Sequence, residues 1–274
     1  MHMLSSFVAA TAFLVSSGLK DVPPQTLVFK IHGKEVSTIE AGNVRGVAEV
    51  LVYEPHEKKQ VVYKAVPVAR IMDEIYGPRW RDEEEILFTC ADGYQPSIPV
   101  GDFLENDAYL AFRRTDQERF TLDNTGQRET NVELGPFYLI WENIENEKAQ
   151  VRESAIWPYQ VIGMDLVRFE DRFGSMLPPL ESRRDSTAGF LAYRRYCTSC
   201  HKINGQGGDK ARDLNRPNIT KIRDPEWLEN FISDPHSMRP GIAMAPLDPE
   251  LENRDQVIRA IVRYLEAMRA TGAE

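Results

Sequence analysis

Cysteine is scarce in this chain, with three among 274 residues. Three thiols cannot build a disulfide framework, so they are free for other chemistry. Long apolar runs are scarce as well. Phe7 to Val15 is a mostly apolar stretch, too short to span a bilayer comfortably, and no other segment reaches membrane length. Positive charge is in deficit: 33 Lys and Arg stand against 42 Asp and Glu, a formal net charge of −9. That balance excludes a general nucleic-acid binder, which needs clustered cations against phosphates. It fits encounter with a basic partner, an effect on association rate and not on fold. Repeats and low-complexity tracts are missing too. Hydrophobic residues at 42% suffice for packed cores. The length allows two ordinary domains or one large one.

The first residues, MHMLSSFVAATAFLVSSGLKDVPP, read as an export signal over residues 1–18. A short apolar run followed by Ser16, Ser17 and Gly18 is the pattern of such signals, although no Lys or Arg precedes the run here. A buried strand or an uncleaved anchor would use the same letters. Export implies a periplasmic location and a mature chain with no membrane span.

From Leu27 to Leu139 the chain reads as strands. LVFKIHG alternates apolar and polar residues. VAEVLVYEP and QVVYKAV alternate likewise across a charged turn, which predicts a hairpin. Residues 67–77 change period, with Val68, Ile71, Met72 and Ile75 on one helical face and Gly77 placed to end it. EILFTCADGY returns to strand and breaks at Asp92-Gly93, AYLAF and PFYLIWE are further strands, and residues 157–170 predict a strand pair or a bulged strand. Residues 25–170 are therefore expected to form a mixed, strand-rich α+β domain. Residues 171–186 carry Pro178-Pro179 and a charge cluster and read as a linker. Beyond Thr187 the period is helical. Helices are predicted around GFLAYRRY, over 224–235 with Asp224 as N-cap and Pro225 behind it, and over 253–270. The fold expected from sequence is thus two domains, the α+β domain followed by an all-α domain at 187–274.

Two of the three cysteines stand in CTSCH, residues 197–201. Cys-x-x-Cys-His is the attachment signature of a c-type haem. Cys197 and Cys200 would carry thioethers to one porphyrin, and His201 would be the proximal iron ligand. A redox dithiol or half of a zinc site can use the same two cysteines. His2, His32, His56 and His236 offer no second pair at zinc spacing, and the motif follows a helical stretch and not a βαβ unit.

From Thr187 on, the chain resembles a class I cytochrome c over its whole remaining length. The resemblance rests on GFLAYRRYCTSCHKINGQGG, on VRYLEAM near the end, and on HSMRPGIAMAPL between them. It implies that Gly189 lets the first helix cross the last one near Tyr264. It implies a methionine sixth ligand, for which Met244 in AMAPL fits better than Met238. It also implies a carbonyl acceptor for the proximal histidine where the family often has a proline. Arg212 of KARDL occupies that place, and its carbonyl can serve.

Cys90 stands alone in EILFTCADGY. Together with GKEVSTIEAGNV, VLVYEPHEKKQVVYKAVPVARIMDEIYG and GPFYLIWEN, this stretch resembles the molybdopterin-binding domain of the sulfite oxidase type. The resemblance implies Cys90 as a molybdenum ligand. No basic, Gly-rich phosphate cradle is seen; Arg113-Arg114 is the nearest candidate. Another metal at Cys90, with His56 or Asp92 nearby, is an alternative; a structural or interaction role for Cys90 and an exposed turn position for His56 are the plainer readings. Two functions follow. One is a periplasmic carrier moving single electrons through one covalent haem c ligated by His201 and Met244, its first domain docking a redox protein partner. The other is a haem-linked molybdopterin oxidoreductase acting on a small oxyanion or sulfoxide at Cys90. A haem sensor in which Met244 dissociates is a third.

Overall fold

The computed structural model describes residues 26–144 and 156–272. The expected export signal at 1–18 lies outside the described residues. Strand β1 (Thr26–Ile31) pairs antiparallel with β2 (Lys34–Glu40), and β3 (Ala48–Glu54) with β4 (Lys59–Pro67). The second pair is the hairpin that the alternation predicts. Val50, Val52 and Glu54 point inward while Glu49, Leu51 and Tyr53 are exposed, as a period of two demands. Helix α1 (Val68–Tyr76) buries Val68, Ile71 and Met72. Gly77, at φ 65°, ends it with its N–H on the Asp73 carbonyl. There follow β5 (Glu85–Cys90), β6 (Ser97–Pro99), α2 (Val100–Glu105), β7 (Ala108–Arg114), β8 (Thr121–Asn124), β9 (Glu129–Glu133), β10 (Tyr138–Trp141) and β11 (Val161–Val167).

These strands make a five-stranded sheet in the order β2-β1-β11-β5-β6 and a four-stranded sheet in the order β10-β7-β4-β3. β1 and β11 run parallel, and β11 shifts register against β5 between Val161 and Gly163. One core joins Leu27, Phe29, Phe88 and Met164 of the first sheet to Val52, Tyr63, Leu110 and Ile140 of the second. Burying each such side chain contributes about 1.5–3 kcal/mol.

The chain continues through α3 (Phe169–Phe173), α4 (Arg183–Tyr196), β12 (Lys202–Ile203), β13 (Gln206–Gly207), α5 (Pro225–Ser233), α6 (Pro235–Met238) and α7 (Arg254–Ala267). Asp224 caps α5 by accepting from the Trp227 N–H at 2.8 Å. A second core forms where α4 meets α7, around Phe190, Tyr193, Ile261, Tyr264 and Leu265.

The expected division into an α+β domain and a separate all-α domain is overturned. The described residues form a strand-rich mixed α/β architecture with several sheets and seven short helices, and no separate all-α unit is evident among them. Strands β12 and β13 stand directly after the CTSCH motif. Asn204 at φ 54° and Gly205 at φ 82° make their two-residue turn, a conformation suited to the twist of a tight hairpin. The second core is also not purely helical. Leu87 of β5 and Val167 of β11 are buried in it. Phe173 and Met176, from the stretch read as a linker, are each 1% exposed within it. The physical cause is that β5 and β11 are buried on both faces, with Leu87 and Val167 turned away from the first core, so the five-stranded sheet needs a cover on each side.

Candidate haem site

The CTSCH motif continues from the end of α4. The Cys197 N–H donates to the Tyr193 carbonyl at 2.8 Å, and the Cys200 and His201 N–H groups turn back onto the Cys197 carbonyl at 3.1 and 2.8 Å. Burial pushes the Cys197 thiol up to about 12, with Cys200 adding to the effect. Burial likewise pushes Cys200 up to about 11, Lys210 opposing it and Asp92 reinforcing it. A redox dithiol depends on an accessible thiolate, and the raised pKa of these two half-buried sulfurs favours the neutral thiol. Among the described residues no group of three or more His, Cys, Asp and Glu side chains is placed to hold a metal ion. Thioether attachment needs no such group.

His201 Nδ1 lies 3.0 Å from the Arg212 carbonyl oxygen. A carbonyl can only accept, so Nδ1 carries the hydrogen and Nε2 carries the lone pair. Among the described residues no hydrogen bond engages Nε2. Burial lowers the His201 pKa, partly offset by the Arg212 carbonyl, and keeps the ring neutral. These are the properties of an imidazole ready to bind iron with its other nitrogen fixed. Arg212 thus supplies the backbone oxygen that the resemblance implies. Its guanidinium turns away onto the carbonyls of Asp213 and Pro217 at 3.3 and 3.4 Å.

Met244 lies in the irregular stretch before α7, half-buried against the second core beside Leu247. Met238 is the last residue of α6 and is not among the side chains packed on that core. Gly189 sits where α4 crosses α7. A methyl group there would fall 2.8 Å from Tyr264 Cβ, inside any normal contact distance. Sequence reasoning missed Asn215 and Asn218, which are 0% and 2% exposed. Asn218 donates to the Leu265 carbonyl at 2.8 Å and Asn215 to the Met268 carbonyl at 3.0 Å, tying the loop after the motif to the end of α7. The signal for them was N-R-P-N, two amides flanking a proline, between Leu214 and Ile219, which pack on the second core.

The strand-rich half also touches the motif. The turn after β5 donates from Gln95 N–H to the Ser199 carbonyl at 2.8 Å and accepts from Asp209 N–H at Gly93 O, also 2.8 Å. Asp92 pairs with Lys210 at 2.8 Å. Burial alone would lower the Lys210 pKa, but that ion pair outweighs it and raises it. Cys90, at the start of this turn, is 2% exposed within the first core. Burial pushes its thiol well above the usual range, and Asp92 adds to the effect. Binding a metal would require the thiolate that this setting disfavours. Arg114 is buried and spends its donors on Asp116, Glu57 and the Thr121 carbonyl, so it cradles no phosphate. His56 stands in the β3–β4 turn as expected, but it is half-buried there and not exposed. Its ring sits edge-on to Tyr159, and burial lowers its pKa despite the nearby carboxylates of Glu54 and Glu57. No helix among the described residues is long and apolar enough to cross a membrane. A scan against protein-family models and a search of curated proteins each find no match for the chain.

Proposed function

We propose that the protein is a one-electron carrier of the periplasm, with a single haem c attached through Cys197 and Cys200 and ligated by His201 and Met244. The observation that carries the reading is the Nδ1 contact of His201 with the Arg212 carbonyl, beside two thiols whose raised pKa favours the neutral form. A bound haem iron would supply reversible ferric–ferrous exchange. The chain's own residues do the rest. Arg212 O holds the imidazole in the tautomer whose Nε2 can ligate. The soft thioether of Met244 would favour the reduced state of a bound haem iron and so raise its potential. His201 and Met244 would both be spent as ligands if haem iron were held here, which would favour electron transfer over catalysis. The strand-rich half braces the motif through Gln95, Gly93 and Asp92, and it offers a face for a redox protein. The edge strand β3 exposes Leu51 and Tyr53, 41% and 40% accessible.

The test is chain matured in a host able to attach haem c, followed by acid–acetone extraction and elemental analysis. One iron per chain, with colour that stays on the polypeptide, is expected. Cys197→Ala with Cys200→Ala should yield no bound haem, and Met244→Ala should lower the potential and open the iron to added ligands. Extractable colour would refute the attachment, and stoichiometric molybdenum would refute the carrier reading.

A further inference from the structure

Residues Gly208 to Arg212 form a strap between the CTSCH motif and the turn that follows β5. On one side the strap holds the motif. The Gly208 N–H donates to the Thr198 carbonyl at 2.8 Å, and the Ala211 N–H to the Cys200 carbonyl at 2.9 Å. Asp209 pairs with Lys202. Arg212 ends the strap with the carbonyl that lies 3.0 Å from His201 Nδ1. On the other side the strand-rich half holds the strap. The Asp209 N–H donates to the Gly93 carbonyl at 2.8 Å, and Lys210 Nζ lies 2.8 Å from Asp92 Oδ2. The other carboxylate oxygen of Asp92 accepts from the Tyr94 N–H at 2.9 Å, so the anion is fixed to its own turn where Lys210 meets it. Both side chains of the pair are mostly covered, 24% and 26% accessible.

An ion pair near a surface contributes little to stability. This one is suited to placement. Lys210 stands two positions before Arg212, a reach of at most about 7 Å, so a shift of Lys210 passes to the Arg212 carbonyl with little slack. An acceptor held on the outer nitrogen of a ligating imidazole makes the ring a stronger donor, which favours ferric over ferrous iron. A slack acceptor does the reverse. Building on the carrier reading, we propose that Asp92 is a positioning residue for the proximal histidine. Through Lys210 it holds the Arg212 carbonyl against His201 Nδ1, and the strand-rich half thereby keeps the potential of a bound haem lower than the motif alone would set it.

The test uses full-length protein matured with haem. Midpoint potentials are measured, and amide hydrogen exchange is followed at Ala211. Asp92→Asn and Lys210→Gln each break the ion pair. Lost charge alone would move the potential in opposite directions, up for the missing anion and down for the missing cation. Lost placement moves both up. At a fixed poise the ferrous-to-ferric ratio of each variant should be about threefold that of the parent, the scale of a weakened hydrogen bond. Exchange at Ala211 should quicken about fivefold or more in both. Asp92→Lys with Lys210→Asp rebuilds the pair in reverse and should return both readings most of the way. Shifts of opposite sign, or unchanged potentials on attached haem, overturn the proposal and leave the carrier reading standing. Unchanged exchange at Ala211 overturns it with or without haem. A parent protein whose colour is lost to acid–acetone overturns the carrier reading and the proposal with it.

Discussion

Gly189→Ala tests the helix crossing on which the second core depends. A methyl group at position 189 would stand 2.7 Å from the Ala260 carbonyl carbon and 2.8 Å from Tyr264 Cβ, and would also overlap the Ala260 oxygen. Carbon atoms pack at about 3.5–4.0 Å, so α4 and α7 would have to separate by about 1 Å. Both partners are backbone or Cβ atoms, which cannot swing aside. Overpacking of this kind costs about 1–3 kcal/mol. Separation also loosens Tyr264 from Tyr193 and Phe190, whose ring centroids lie 5.2 and 5.8 Å away. Aromatic pairs of this kind contribute about 0.5–1.5 kcal/mol each, and part of that is lost. Alanine returns about 1 kcal/mol through helix propensity. The net expectation is a loss of about 2 kcal/mol, read by urea unfolding with far-ultraviolet circular dichroism. Gly101→Ala is the control. It lies in α2 with nothing within 4 Å of its added methyl group, so it should stabilise by up to about 1 kcal/mol. If both variants behave alike, the close crossing does not exist.

Glu54 is fully buried and accepts from the Tyr63 hydroxyl at 2.9 Å, the Tyr138 hydroxyl at 3.0 Å and the His56 N–H at 3.0 Å. Glu54→Leu strands these donors and should cost about 3–5 kcal/mol by denaturant unfolding, and a loss under about 1 would show that the network carries little. His56 has a folded pKa depressed by burial below its ordinary 6.5. The unfolded chain therefore takes up the proton first as pH falls. The stability tied to neutral His56 is complete above 6.5 and declines from there towards the lower folded pKa. His56→Gln should flatten the stability–pH curve between neutrality and mild acid, and an unchanged slope would remove His56 from the account. Gly93 has φ +88°, and an added methyl group would stand 2.8 Å from the Asp209 carbonyl carbon. Gly93→Ala should cost about 1–2 kcal/mol from the backbone alone and speed hydrogen exchange at Gln95 and Asp209, whereas unaltered exchange would mean that the turn does not hold the motif.

Much of this was legible from local pattern. Alternation gave the β3–β4 hairpin, and a single Gly gave the end of α1. Asp224-Pro225 gave the start of α5, because capping is decided within four residues. The turn that CTSCH makes at the end of α4 was legible as a motif because its five residues are contiguous. What local pattern could not give was the second use of β5 and β11. Leu87 and Val167 look like ordinary strand residues, and only the three-dimensional arrangement shows that their face meets Phe173 and Phe190. The β12–β13 hairpin was within reach of sequence. Asn204-Gly205 is a strong hairpin turn signal, and the surrounding helical period masked it. His56 and Arg114 look like surface residues in sequence, since burial of a polar side chain depends on distant partners such as Tyr159 and Asp116.

The sharing of Leu87, Val167, Phe173 and Met176 with the α4–α7 pair has a consequence for how the molecule melts. A fragment cut before residue 187 would leave the Tyr264 hydroxyl without the Met176 carbonyl it now meets at 2.7 Å, and the severed sheet would show a greasy flank to water. Neither piece could keep its shape alone, so heat should dissolve sheet and helices together in one calorimetric peak.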